Sequence, residues 1–266
     1  MKRIKEAKRI VVKVGTSTLI YDNGKINLGK IDKIALVLSD LHNQGYEIAL
    51  VSSGAIGIGV EKLKLEERPE SIKDKQGIAA VGQCEMMHLY SKMFGDYNHV
   101  VAQILITKDV VDNKVTRKYA ADTFEALFEK GIIPVVNEND TVSVDEINFG
   151  DNDALSATVA GFIGADMLII LSDIDGFYTA DPRVDDNAKL IPLVDEITKE
   201  FEGNAGGVGS RRGTGGMITK LAAAKICIEK YKIPMAIVNG KDPVNVRRLL
   251  KGKQVGTIFI PKGGEI

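Results

Sequence analysis

The chain alternates between two hydrophobic rhythms. Short, nearly unbroken apolar runs recur at Arg9 to Val14, Glu47 to Val51, Val100 to Ile106, Ile132 to Val136, Met167 to Leu171 and Met235 to Val238. Runs of this length, rich in Val and Ile, predict strands buried on both faces. Between them the apolar positions fall at helical spacing. Leu28 to Gln44 places Ile31, Ile34, Ala35, Leu38 and Leu41 on one face and ends near Gly45. Helices are also predicted at Ser71 to Phe94, Thr116 to Lys130, Leu155 to Ile163 and Lys220 to Lys230, with Ser71 and Asp74 forming a capping box at the first of these. Continuous apolar strands separated by helices predict a three-layer αβα sandwich with a mainly parallel central sheet. No internal repeat or low-complexity linker divides residues 1–266, so a single domain is expected.

Composition narrows the function classes. The 266 residues carry a formal net charge of −1, which gives no general attraction for nucleic acid or an anionic membrane. No apolar run approaches the ~20 residues needed to span a bilayer. The basic start is followed only by Ile10-Val11-Val12 before Lys13, too short for a signal-peptide core. Cys84 and Cys227 lie far apart without metal spacing, and a reducing cytoplasm is the expected location. His42, His88 and His99 form no ligand cluster, and no residue is assigned to a metal.

In parallel sheets covered by helices, ligands gather beyond the C-terminal ends of the strands. Several motifs sit there. Gly213-Thr214-Gly215-Gly216-Met217-Ile218-Thr219-Lys220 runs into a helix-forming stretch, Leu221 to Ile226. A helix N-terminus offers unpaired N–H groups and partial positive charge, glycine admits an anion closely, and Lys220 adds a full charge. Phosphate binding is the chemistry this pattern suits. Lys13, flanked by Val12 and Val14, is a charge in an apolar strand, costly unless an anion meets it or it snorkels from an edge. Ser52-Ser53-Gly54-Ala55-Ile56-Gly57 opens a helix with hydroxyls and bare amides suited to a carboxylate or phosphate, although Ser53 also reads as an N-cap. Asn137-Glu138-Asn139-Asp140 and Gly150-Asp151-Asn152-Asp153 gather groups that can bind an ammonium, hold a lysine or assist hydrated Mg²⁺. Leu171 to Pro182 adds hydroxyl and aromatic groups suited to a nucleotide. There is no G-x-x-x-x-G-K-[ST] and no G-x-G-x-x-G after a strand, which excludes a P-loop and counts against a dinucleotide-binding oxidoreductase.

Taken in order, these motifs resemble the amino acid kinase family over essentially the whole chain, and most closely its branch acting on glutamate. The matching stretches are Lys13 to Ser17, Ser52 to Gly57, Lys75 to Gln83, Asn137 to Asp140, Gly150 to Ala157, Gly176 to Arg183 and Gly213 to Lys220. The resemblance implies ATP-dependent phosphorylation of the L-glutamate side-chain carboxylate, giving γ-glutamyl phosphate in proline biosynthesis. Lys13 and Lys220 would then contact the ATP phosphates as catalytic residues, and Asp151 would position them. Ser172 and Asp173, with Thr214, Gly215, Gly216, Met217, Ile218 and Thr219, would line the ATP site. Ser53, Asp140 and Asn152 would hold glutamate, with Gly54, Ala55 and Asp153 nearby. The resemblance further implies Mg²⁺ with ATP, a homo-oligomer, proline as a feedback inhibitor and a downstream glutamyl phosphate reductase. Many members carry a C-terminal RNA-binding-like extension, the PUA domain. A form lacking it is expected here. Gly77 stands where the family usually has alanine, and Ser172 where it has threonine.

Overall fold

The computed structural model describes residues 2–143, 152–199, 201, 203 and 214–264. Its strands are β1 (Arg9–Val14), β2 (Glu47–Ser52), β3 (Val101–Ile106), β4 (Ile133–Glu138), β5 (Met167–Ser172), β6 (Leu193–Val194), β7 (Met235–Asn239) and β8 (Thr257–Phe259). They form one sheet in the order β3-β4-β2-β1-β5-β7-β8-β6. The β2–β4, β3–β4, β5–β7 and β6–β8 pairs are parallel, and β7–β8 is antiparallel. The helices are α1 (Lys2–Glu6), α2 (Thr16–Leu19), α3 (Leu28–Asn43), α4 (Ala55–Lys62), α5 (Ile72–Asp96), α6 (Lys108–Asp112), α7 (Lys114–Phe128), α8 (Asp153–Phe162), α9 (Thr214–Lys225) and α10 (Val244–Leu250). This is the expected mainly parallel sheet covered by helices. The chain divides into two compact units, Val14–Asn152 and Met1–Lys13 with Asp153–Ile266.

The unit spanning Val14–Asn152 holds β2, β3 and β4. Val101 to Ile106 pairs residue by residue with Ile133 to Glu138, so two apolar runs become adjacent buried strands. The α3 helix is capped by Asn27, whose side chain accepts from the Lys30 amide, and it buries Ile31, Ile34, Ala35, Leu38 and Leu41 as its spacing predicts. The Ser71 cap of α5 accepts from the Asp74 amide at 3.0 Å. Helices α4 and α5 meet through glycine. A Cβ on Gly82 would lie 1.7 Å from the Ala55 carbonyl oxygen, and one on Gly59 would lie 2.2 Å from that of Ile78. Only hydrogen side chains permit this approach. It brings the middle of α5 against the first turn of α4.

In the other unit, every residue of β5 is buried. The short strands β6 and β8 were not expected, since two or three residues leave no readable period. Leu193 lies opposite Ile258 and Met235 opposite Phe259. The helix expected from Lys220 begins earlier, at Thr214, and continues past Lys225 as a π-helical turn, Ile226–Tyr231. The glycines at 215 and 216 therefore belong to its first turn.

Candidate active site

Two clusters of buried polar groups form, one in each unit. The first is built on Lys13, near the end of β1, on Asp153, which opens α8, and on Lys220 in α9. Lys13 is only 2% exposed and Asp153 fully buried. Removing such charges from water is expensive unless they are paired with good geometry. Here they are paired: Lys13 Nζ lies 2.7 Å from Asp153 Oδ1, and Lys220 Nζ 3.1 Å from Oδ2. One carboxylate thus gathers two ammonium groups that the sequence separates widely. Thr219 Oγ1 lies 2.9 Å from Asp153 Oδ2 and 3.0 Å from the Gly216 carbonyl. Lys220 Nζ also donates to that carbonyl at 3.1 Å, so its side chain folds back along the first turn of α9. Asp153 stands in the first turn of α8, where the helix dipole favours a carboxylate.

Lys13 is therefore neither a snorkelling surface lysine nor an edge residue. Its ammonium is held inside the protein beside that of Lys220, and two such groups are suited to the oxygens of a phosphoryl group. Asp153, expected beside the substrate, meets both lysines, the contact also expected of Asp151. Asp151 itself lies outside the described residues, as does Gly213. Thr214, Gly215, Gly216, Met217, Ile218 and Thr219 all lie in α9, with Ile218 exposed. Ser172 ends β5 as a buried hydroxyl donating to Asp173 at 3.2 Å, and Asp173 is exposed.

The second cluster surrounds the end of β2. Gly54 turns the chain into α4 with φ +100°, a left-handed conformation that favours glycine, and Ser53 and Ala55 beside it are buried. Asn152 Nδ2 donates to the Ser52 carbonyl at 2.9 Å and to Asn137 Oδ1 at 2.6 Å. Asn137 Nδ2 in turn donates to Gln83 Oε1 at 2.9 Å. Behind Ser52, its hydroxyl meets Tyr90 Oη at 2.9 Å, and burial pushes the Tyr90 phenol up to about 12. Ser53 Oγ, Asp140 Oδ1 and Asn152 Oδ1 are buried without a hydrogen-bond partner among the described residues. Burial, reinforced by nearby Glu138, pushes the Asp140 carboxyl up to about 7. Buried polar atoms left unsatisfied are costly and are rare in proteins. Among the described residues such atoms also occur elsewhere, Ser39 and His99 included, but one falls on each of the three side chains expected to hold an amino acid. Asn137 and Gln83 tie these groups together; sequence gives Asn137 only the general role of its motif and Gln83 none. The signal available was their place in the Asn137–Asp140 and Lys75–Gln83 motifs.

Residues 8–239 match the model of the amino acid kinase family. The chain belongs to the amino acid kinase family. Both clusters lie within the matched region. Among curated members, the chain is 56% identical over 268 residues to the glutamate 5-kinase of Clostridium perfringens (strain 13 / Type A), covering 99% of each chain. It is 53% identical to the glutamate 5-kinase of Listeria monocytogenes serotype 4a (strain HCC23), covering 99% of this chain and 96% of that one. Among solved structures, an isopentenyl phosphate kinase substrate complex matches with a TM-score of 0.67 at 16% identity, covering 95% of this chain and 99% of that one. The UMP kinase of Bacillus anthracis matches with a TM-score of 0.62 at 16% identity, covering 96% of both. These distant structures show that the amino acid kinase fold is shared.

Proposed function

We propose that this chain transfers the γ-phosphoryl group of ATP to the side-chain carboxylate of L-glutamate. The observation that carries this reading is 56% identity over 99% of both chains to a glutamate 5-kinase. The chain is a kinase with a carboxyl group as acceptor, and it serves proline biosynthesis. A γ-carboxylate, with a reference pKa of about 4.3, is ionised at neutral pH and needs no general base. One of its oxygens attacks the γ-phosphorus, a new P–O bond forms, the bond to the β,γ-bridging oxygen breaks, and ADP leaves with that electron pair. The obstacle is the approach of one anion to another, so alignment and fixed positive charge supply the catalysis.

In this assignment Lys13 and Lys220 bind the phosphoryl oxygens and Asp153 holds both ammonium groups in place. Ser172, Asp173 and the first turns of α9 receive the nucleotide. On the acceptor side, the buried unsatisfied oxygens of Asp140 and Asn152 suit the α-ammonium of an amino acid, and Ser53 with the amides opening α4 suits a carboxylate. Among the described residues no group of three His, Cys, Asp or Glu side chains could cage a metal ion. Mg²⁺ would arrive on the nucleotide phosphates, where it would neutralise charge. Proline as feedback inhibitor, self-association, a reductase consuming the acyl phosphate and a cytoplasmic location belong to the same proposal. No helix among the described residues is long and apolar enough to cross a membrane.

The test is ADP release with Mg·ATP and L-glutamate, L-aspartate, N-acetyl-L-glutamate or uridylate, with hydroxylamine trapping any acyl phosphate. Glutamate-dependent ADP release with matching hydroxamate is expected. Turnover with another acceptor alone would overturn the substrate assignment.

A further inference from the structure

The amide chain joining Gln83, Asn137 and Asn152 has a direction, and two backbone groups set it. The Glu138 N–H donates to Asn137 Oδ1 at 2.9 Å, and a backbone N–H can only donate. Asn137 must then present Nδ2 to Gln83, which meets it with Oε1. At the other end, the Ser52 carbonyl can only accept, so Asn152 presents Nδ2 to it and to Asn137 Oδ1. Flipping any one amide would set two donors or two acceptors face to face. The chain therefore terminates in an unused acceptor, Asn152 Oδ1, and an unused donor, Gln83 Nε2. Both are buried and without a partner among the described residues.

Gln83 is only 8% exposed, on the inner face of α5. The preceding residue, Gly82, is the point at which α5 touches Ala55 of α4. Gln83 is thus linked to the Ser52 to Ala55 turn by two routes, through Asn137 and Asn152 of the amide chain and through its neighbour Gly82 at the helix contact. A zwitterionic amino acid needs an acceptor for its ammonium and a donor for its carboxylate, and the two ends of this chain offer one of each. Resting on the glutamate reading above, we propose that Gln83 Nε2 donates to the α-carboxylate of the acceptor and that Gln83 is a residue setting substrate specificity. The γ-carboxylate is excluded as its partner because that group must meet the phosphoryl donor.

Gln83→Glu tests this directly. It keeps an oxygen to accept from Asn137 Nδ2 and so preserves the chain, but it turns the open end from donor to anionic acceptor. kcat/KM is measured for L-glutamate and for its α-amide, isoglutamine, with ATP KM and thermal unfolding as controls. The wild type should favour glutamate, and Gln83→Glu should shift the ratio toward the α-amide by about 100-fold, since mispaired buried polar groups discriminate strongly. The loss on glutamate should appear mainly in KM. A ratio within about threefold of wild type, with both substrates impaired equally, would reduce Gln83 to a positioning residue and overturn the proposal. If Gln83→Glu fails to fold, Gln83→Met carries the test, with discrimination expected to fall about 10-fold by loss of one charge-assisted hydrogen bond. A wild type inactive on glutamate would overturn the glutamate reading together with this inference, whereas an active wild type with an unmoved ratio overturns this inference alone.

Discussion

Asp153 lies 2.7 Å from Lys13 and 3.1 Å from Lys220, and it has no exposed surface of its own. The pair of oxygens on one side chain therefore fixes two ammonium groups carried by different elements. Removing the carboxylate while keeping its shape, as in Asp153→Asn, leaves buried lysines without this counter-charge. Losing one partner of a buried pair costs about 3–5 kcal/mol. We expect Asp153→Asn to lower the thermal midpoint by about 10 °C. Because alignment is lost as well, kcat should fall at least ~100-fold. Thermal unfolding and steady-state kinetics on the same preparation check both. A variant with near-normal kcat would show that the lysines are positioned by other groups.

Lys220 should separate chemistry from acceptor binding. Its Nζ contacts Asp153 and Gly216, within the cluster assigned to the phosphoryl group, whereas the groups assigned to glutamate belong to the other cluster. Lys220→Ala is expected to reduce kcat by about 1000-fold, the scale of a removed cationic stabiliser of phosphoryl transfer. Glutamate affinity, measured by calorimetry, should remain within about twofold of wild type. Near-normal turnover would remove Lys220 from the reaction.

Much of this was legible in the chain because period and punctuation agree. Short unbroken apolar runs such as Met167 to Leu171 are too brief for a buried helix and read as strands buried on both faces, and Ser71 announces its helix by chemistry that the structure reproduces. What stayed hidden was long-range. Nothing local shows that Asp153 reaches Lys13, since most of a sheet separates the two in sequence. The Gln83–Asn137–Asn152 chain is likewise a product of register. Val136 of β4 lies opposite Val51 of β2, which brings Asn137 alongside Ser52. The strands β6 and β8 are too short to carry a period at all.

Acidity offers a third test, through Asp140. Burial, with Glu138 beside it, pushes its carboxyl up to about 7, above its ordinary 3.8. The ammonium of glutamate requires the ionised form. Glutamate KM is therefore expected to be flat above about pH 8 and to rise about 10-fold per unit well below pH 7, with ATP KM less affected. Asp140→Asn should weaken glutamate binding and flatten the profile. The effect on folding has the opposite sense. The folded state holds this proton more tightly than the unfolded chain, so the group's stabilising contribution is full below about pH 4 and is lost as pH rises through about 7. Unliganded protein followed by denaturant titration across that range should show the loss, and saturating glutamate should offset it.

Two glycines on one helix give the sharpest structural contrast. A Cβ at Gly82 would stand 1.7 Å from the Ala55 carbonyl oxygen and 2.6 Å from the Gly59 nitrogen, both backbone atoms with nowhere to yield. Gly82→Ala must push α5 away from α4, at a cost of about 1–3 kcal/mol or more. Because that movement displaces Ala55 and carries Gln83 with it, glutamate KM should rise alongside the loss of stability. At Gly77 a Cβ meets nothing within 4 Å, and the residue is exposed within the same helix. There Gly77→Ala, the residue more usual in the family, should stabilise by about 0.5–1 kcal/mol through reduced freedom of the unfolded chain and leave glutamate KM unchanged. Urea titrations and glutamate saturation curves on the two variants measure both quantities. Equal behaviour of the two would mean that α4 and α5 do not rely on this close approach to shape the acceptor site.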